Sequence, residues 1–301
     1  MPLASPVMAL LLAAEGIPAA TLPEAGMVEV LKTQADADDR MTVPVRIGHH
    51  GSFRFVIDTG SQSTVVSTRL AEQLALPPAR KARIVGVGGT EIVDTAMVAE
   101  LGLGRRSYSD LEVALLEARH IGAEGIVGID SLQRQRVLLD FERNTMAVGD
   151  ARTLGGNSGF EIVVTARRRL GQLIMTNAVV DGVRTQVIID TGANTSVGNL
   201  ALQQALRHRN SNSQVKLLSA TGQEISAELG FPRKLTISDI DITNLLVAYA
   251  DAPVFAVLDL DKRPALMLGM RELRLFKRIA IDFNSRKVYF DLPEMDRREF
   301  N

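Results

Sequence analysis

At 301 residues the chain is long enough to bury a sizeable core and to form one or two domains. Its 34 basic and 35 acidic residues leave a formal net charge of −1, so no long-range field recruits nucleic acid or an anionic membrane. Cysteine is absent, which excludes disulfides, thiolate metal sites and a cysteine nucleophile and leaves the redox compartment open.

The first forty residues read as a flexible leader or signal segment. Val7 to Ala14 is a short apolar run followed by Ala19-Ala20, the pattern of a secretory signal and its small-residue cleavage site. No Lys or Arg precedes Lys32, so the basic start of such a signal is missing. Localisation stays uncertain on this reading, with export to a periplasm or the outside favoured over the cytoplasm. Glu15, Gly16 and Pro18 interrupt the run well short of the roughly 20 apolar residues a spanning helix needs, so no stable membrane insertion is expected. The stretch to Arg40, with Asp36, Asp38 and Asp39, reads as a linker with no core of its own.

A first unit is predicted over 41–150. Met41 to Gly48 alternates as a strand, His49-His50-Gly51-Ser52 forms a turn, and Phe53 to Asp58 returns as the second arm of a hairpin. The apolar run Phe55-Val56-Ile57 ends in Asp58-Thr59-Gly60, and a short helix follows over Thr68 to Leu74. Three glycines in Gly86-Val87-Gly88-Gly89 mark the tip of another hairpin. After a linker over 151–160, carrying Gly155-Gly156-Asn157-Ser158-Gly159, a second unit is predicted over 161–293. There Asn177 to Val180, the Asp181-Gly182 turn and Arg184 to Asp190 repeat the hairpin. Val187-Ile188-Ile189 runs into Asp190-Thr191-Gly192, and a short helix is expected over Asn199 to Arg207. A polar tail occupies 294–301.

One Asp-Thr-Gly would be an ordinary strand-closing turn, because all three residues favour turns. Two copies in repeating surroundings are different. The aspartates are 132 positions apart (190 − 58), and Gly89-Thr90-Glu91-Ile92 recurs as Gly222-Gln223-Glu224-Ile225. Farther on, Ile126-Val127-Gly128 answers to Met267-Leu268-Gly269, and Arg136-Val137-Leu138-Leu139-Asp140-Phe141 to Arg278-Ile279-Ala280-Ile281-Asp282-Phe283. Four features in one order indicate an internal duplication of a domain-sized unit.

These motifs resemble the aspartic peptidases of the retropepsin and pepsin superfamily, with two retropepsin-like halves fused in one chain from about Met41 to Pro293. The resemblance implies an all-β, bilobal, pepsin-like fold of two pseudo-two-fold-related β-barrel lobes. It makes Asp58 and Asp190 the catalytic pair, supported by Thr59, Gly60, Ser61 and Thr64 in one half and Thr191, Gly192, Ala193 and Ser196 in the other. The threonines Thr59 and Thr191 are expected to hydrogen-bond across to the opposite loop. Flaps are expected at Gly86, Val87, Gly88 and Gly89 and, with one glycine in place of three, around Ala220, Thr221 and Gly222.

Two carboxylates sharing a site cannot both ionise cheaply, so such a pair holds one proton between them; the aspartic proteases are the standard illustration of this principle. The ionised member takes a proton from water attacking a peptide carbonyl, while the other donates to the carbonyl oxygen. Because Ser61 carries a hydroxyl and Ala193 does not, Asp58 is expected to be the more ionised partner. The expected partner is an extended protein or peptide substrate. No cofactor or metal is implied, and a monomer suffices because one chain supplies both halves.

Other readings have less behind them. His49 and His50 lie in a turn with no third ligand at a recognisable spacing. The glycines of 86–89 lack the Gly-Lys-Ser/Thr ending of a phosphate loop. Ser61 and Ser63 have no suggestively placed histidine, and Arg167-Arg168-Arg169 reads as a solvated strand or loop. The alternative kept beside catalysis is a silent module that binds peptides or a partner by strand addition in the same cleft.

Overall fold

A computed structural model describes residues 10–12, 29–132, 135–154, 160–206 and 210–293. The segments 1–9, 13–28, the Gly155–Gly159 stretch of the expected linker and the 294–301 tail lie outside the described residues. The fold is all-β and two-lobed, with short helices only at the ends of strands.

In the first lobe the hairpin Met41–Ile47 and His50–Ile57 packs against Gly125–Val127, which runs parallel to the second arm. Gly125–Val127 pairs on its other side with Val65–Ser67. Phe55, Val56 and Ile57 are all buried, which is why this arm is a continuous apolar run and does not alternate. The turn is tighter than the sequence implied: Ile47 pairs with His50, so the strand resumes at His50 and the connection shrinks to Gly48-His49, with Gly48 at φ 57°. Thr90–Leu103 is long enough to serve twice. Its start forms the flap hairpin with Pro78–Gly86, and its end pairs with Met41–Ile47 to close the lobe.

The second lobe repeats this plan with Gln172–Val180, Val183–Ile189, Ala265–Leu268 and Ser196–Gly198. Its counterpart of the long strand is split into Glu224–Gly230 and Lys234–Ile237. The break falls at Phe231-Pro232, where proline removes the ladder N–H. Lys234–Ile237 still pairs with Gln172–Val180, closing this lobe as the end of Thr90–Leu103 closes the first.

A six-stranded sheet joins the lobes. Arg136–Asp140 and Arg278–Asp282 lie antiparallel at its centre, each backed by its own hairpin partner, Thr145–Gly149 or Lys287–Asp291. Across the central pair, Arg136 donates to Asp282 at 3.0 Å with both side chains buried, and its guanidinium stacks 4.4 Å from the Tyr289 ring centre. The outer strands are Glu29–Lys32 on one side and Ile162–Thr165 on the other. The expectation of a coreless segment up to Arg40 therefore fails from Glu29 onward: Leu31 is buried, and Arg40 is fully buried against Asp36. The alternation Val30-Leu31 was too short to be recognised as a strand without its partner. Within the apolar run of the leader, Leu10–Leu12 pairs antiparallel with Ile84–Gly86 of the first flap. Among the described residues no helix is long and apolar enough to cross a membrane.

Candidate active site

Asp58 and Asp190 each follow a buried strand and enter a tight turn at the same level, because their backbone N–H groups bond to Val127 and Leu268 of the strands crossing behind them (3.1 and 3.0 Å). The two turns face each other so closely that only glycine fits at their apices. A Cβ on Gly60 would lie 2.7 Å from Asp190 Oδ1 and 3.0 Å from Asp58 Oδ1, and one on Gly192 would lie 2.6 Å from Asp58 Oδ1. That geometry sets the carboxyls side by side, both fully buried.

The threonines cross between the lobes as expected. Thr59 Oγ1 donates to the Ile189 carbonyl at 2.9 Å and Thr191 Oγ1 to the Ile57 carbonyl at 2.8 Å. Each also accepts the other's backbone N–H, at 3.0 and 3.3 Å. This reciprocal set fixes the spacing of the two aspartates independently of their own charges.

Burial pushes the Asp58 carboxyl up to about 6, opposed by the N–H groups of Gly60 and Ser61 and by the charge of Arg40. Asp190 is raised well above the ordinary carboxylate range, first by burial and then by the charge of Asp58. Both carboxyls are thus held above the ordinary carboxylate range, and the pair titrates as a unit. The hydroxyl expected to favour the Asp58 anion is turned elsewhere. Ser61 Oγ donates to the Ser63 carbonyl at 2.8 Å, and it is the backbone N–H groups of Gly60 (2.7 Å) and Ser61 (3.0 Å) that reach Asp58 Oδ1. Asp58 Oδ2 and Asp190 Oδ2 are buried and take no hydrogen bond from any group outside the pair among the described residues. Buried carboxyl oxygens of this kind are ready to take a reacting group.

Thr64 and Ser196 buttress the turns, and each engages a carboxylate beyond the crossing glycine of its lobe. Thr64 donates through both N–H and Oγ1 to Asp130 (2.8 Å each), and Ser196 Oγ donates to Glu272. In both lobes the same hydroxyl accepts the N–H of the crossing glycine, Gly128 at 3.3 Å and Gly269 at 3.0 Å. Asp130 lies two residues after its glycine and Glu272 three after, so the longer side chain makes up the shift. That change of register hides the equivalence in the sequence.

The flaps meet above. Gly86 to Gly89 turns the first hairpin with Gly86 N–H on the Gly89 carbonyl (2.8 Å), and Val85 and Val87 are buried in one cluster with Ala193 and Ile188 of the second lobe. The second tip, Ser219 to Gln223, is closed by a hydroxyl pair between Ser219 and Thr221 at 2.7 Å. Ala220 is buried in the first lobe's cluster with Val56 and Ile126. Gly88 and Gly89 abut Gln223, whose Nε2 donates to the Thr90 carbonyl at 3.3 Å, while Gly222 abuts His120. Gln223 and His120 were not singled out from the sequence, because only the tertiary fold brings them to the flap tips. His49 and His50 sit in or beside an exposed hairpin turn, and no group of three metal-ligating side chains occurs among the described residues.

Comparison with known proteins agrees with this architecture. A family model described as aspartyl protease matches residues 43–131 and again 176–271, one match per lobe. A stretch of 97 residues is 31% identical to Protein DNA-DAMAGE INDUCIBLE 1 of Arabidopsis thaliana. That match covers 31% of this chain and 23% of the plant protein.

Proposed function

The chain belongs to the aspartyl protease family, and from that premise we propose that it is an aspartic endopeptidase whose two lobes supply one catalytic aspartate each. The observation that carries this reading is the buried pair Asp58 and Asp190, held side by side and both pushed above the ordinary carboxylate range by burial. Asp58, as the anion, takes a proton from the attacking water. Asp190, as the acid, gives one to the carbonyl oxygen of the scissile peptide, and the resulting gem-diol breaks its C–N bond as Asp58 passes its proton to the leaving nitrogen and Asp190 recovers one from a gem-diol hydroxyl. A purely binding cleft has no use for two costly buried carboxyls.

The support for an extended substrate is in the first flap. Its edge over Ile84–Gly86 accepts Leu10–Leu12 as an added antiparallel strand, which is how an extended peptide docks on a sheet edge. The helix Pro253–Val257 of the second lobe contacts both of these strands.

The test is cleavage-site profiling on a peptide library, with Asp58→Asn and Asp190→Asn as controls. Inhibition by a statine-type peptide, whose hydroxyl takes the place of the attacked water, is expected; chelators and serine-directed reagents should have no effect. Inactivation by a chelator in a metal-stripped assay, reversed by added zinc, would overturn the mechanism.

A further inference from the structure

The lobes are tied at one more place, close to the first catalytic turn. The second lobe's hairpin Ile162–Arg169 and Gln172–Val180 turns through Leu170 and Gly171, both at positive φ (46° and 86°), and its tip rests on the first lobe. Gln172, 2% exposed, donates its Nε2 to the Gly60 carbonyl at 2.7 Å. In return Gln62 of the first lobe donates its Nε2 to the Leu170 carbonyl. Two side-chain amides thus clasp the catalytic turn Gly60–Gln62 to the hairpin tip.

The target of Gln172 has a specific consequence. The Gly60 carbonyl and the Ser61 N–H belong to one rigid peptide plane, and that N–H donates to Asp58 Oδ1 at 3.0 Å. A hydrogen bond onto the carbonyl orients the plane and polarises it, which strengthens the N–H as a donor at the other end. The chain of contacts runs from Gln172 through the Gly60–Ser61 peptide to Asp58. The position equivalent to Gln172 by the 132-residue offset is Arg40, whose guanidinium instead binds Asp36 and the Ile121 carbonyl (2.7 Å). Duplicated positions have therefore acquired different tasks.

We propose that Gln172 is a positioning residue that, through the Gly60–Ser61 peptide, holds Asp58 as the charged member of the pair. The consequence for turnover rests on the peptidase reading above; the consequence for Asp58 ionisation does not. Gln172→Met keeps the side chain's length and removes the donor. Its expected effects are a fall in kcat of about tenfold with KM within about twofold, the pattern of an interaction that matters in the transition state. The acid limb of the rate profile should move to higher pH, because a weaker donor stabilises the Asp58 anion less. The carboxyl-carbon NMR titration of Asp58, assigned by comparison with Asp58→Asn, should move up in the same variant whether or not a cleaved peptide is known. A variant with a lower Tm but an unmoved titration and kcat would overturn the proposal. Should Gln172→Met not fold, Gln62→Met loosens the clasp from its more exposed side. It should move the Asp58 titration in the same direction by less, and no movement there would equally overturn it. Wild-type protein that cleaves nothing in the library would sink the peptidase reading, and the titration would still decide the role of Gln172.

Discussion

The two lobes descend from one plan and differ where the plan meets chemistry. Both deliver an aspartate from a buried strand into a glycine turn, and both send a threonine across to the other side. Around that common frame the first lobe has Arg40, Asp130 and a flap with three glycines, where the second has Gln172, Glu272 and a flap with one. The result is an unequal pair: each aspartate accepts backbone N–H groups of its own turn, Asp58 from Gly60 and Ser61 and Asp190 from Gly192, but Asp58 also feels the buried cation Arg40 while Asp190 is raised by the charge of Asp58. A symmetric dimer cannot make that distinction. Fusion of two copies lets each diverge, so the two carboxyls can be given different surroundings within one chain.

The largest expected effect would test whether both lobes are needed. Asp58→Asn and Asp190→Asn should each reduce peptide hydrolysis by about 10³-fold or more, in the range general acid–base catalysis contributes, while the circular dichroism spectrum stays that of the wild type. Near-full activity in either variant would show that one lobe acts alone.

The junction between lobes comes next. Arg136→Ala leaves Asp282 buried without its partner and removes the stacking on Tyr289, which should cost about 3–5 kcal/mol in urea unfolding. A smaller loss, below about 1 kcal/mol, would mean that the central sheet holds the lobes without this pair.

Thr59→Val and Thr191→Val sharpen the comparison, since the two contacts are near mirror images. Each should cost about 1–3 kcal/mol by leaving buried partners unsatisfied, with the two values close to each other. Unequal costs would locate hidden asymmetry in the frame itself.

A smaller effect concerns pH and stability. Both carboxyls are raised in the folded state, so between the unfolded value near 4 and the folded value of Asp58 near 6 the native protein binds more protons than the unfolded chain. Stability from this source is present at acid pH and lost as pH rises through that window. Asp190→Asn removes the like-charge conflict, so its Tm should exceed that of the wild type at pH 7 and approach it at pH 4. An advantage that is the same at both pH values would exclude the carboxyl pair as its source. The last expectation is of no effect at all: specific activity should hold on dilution, because one chain carries both aspartates, and a steep loss would show that the catalytic pairing forms between chains.

Much of this was legible in the chain. The repeated Asp-Thr-Gly motifs and the strand-rich character follow from local patterns, apolar runs that must be buried and turns that small residues make, while the roles of the crossing glycines Gly128 and Gly269 and of the flap glycines were what the family resemblance implied. What the chain did not disclose are partnerships over long sequence separation. The strand Glu29–Lys32 exists because Thr145–Gly149 offers it an edge, and Glu272 replaces Asp130 because one extra residue of register is offset by one extra methylene. The glycine turns foretold backbone N–H groups near the carboxylates, but that the Ser61 hydroxyl would turn away to the Ser63 carbonyl was set only by the folded turn. The sequence by itself determined that two carboxylates would share a site. How each is surrounded was decided by the tertiary structure, since burial and a buried arginine act through space and leave no local signature.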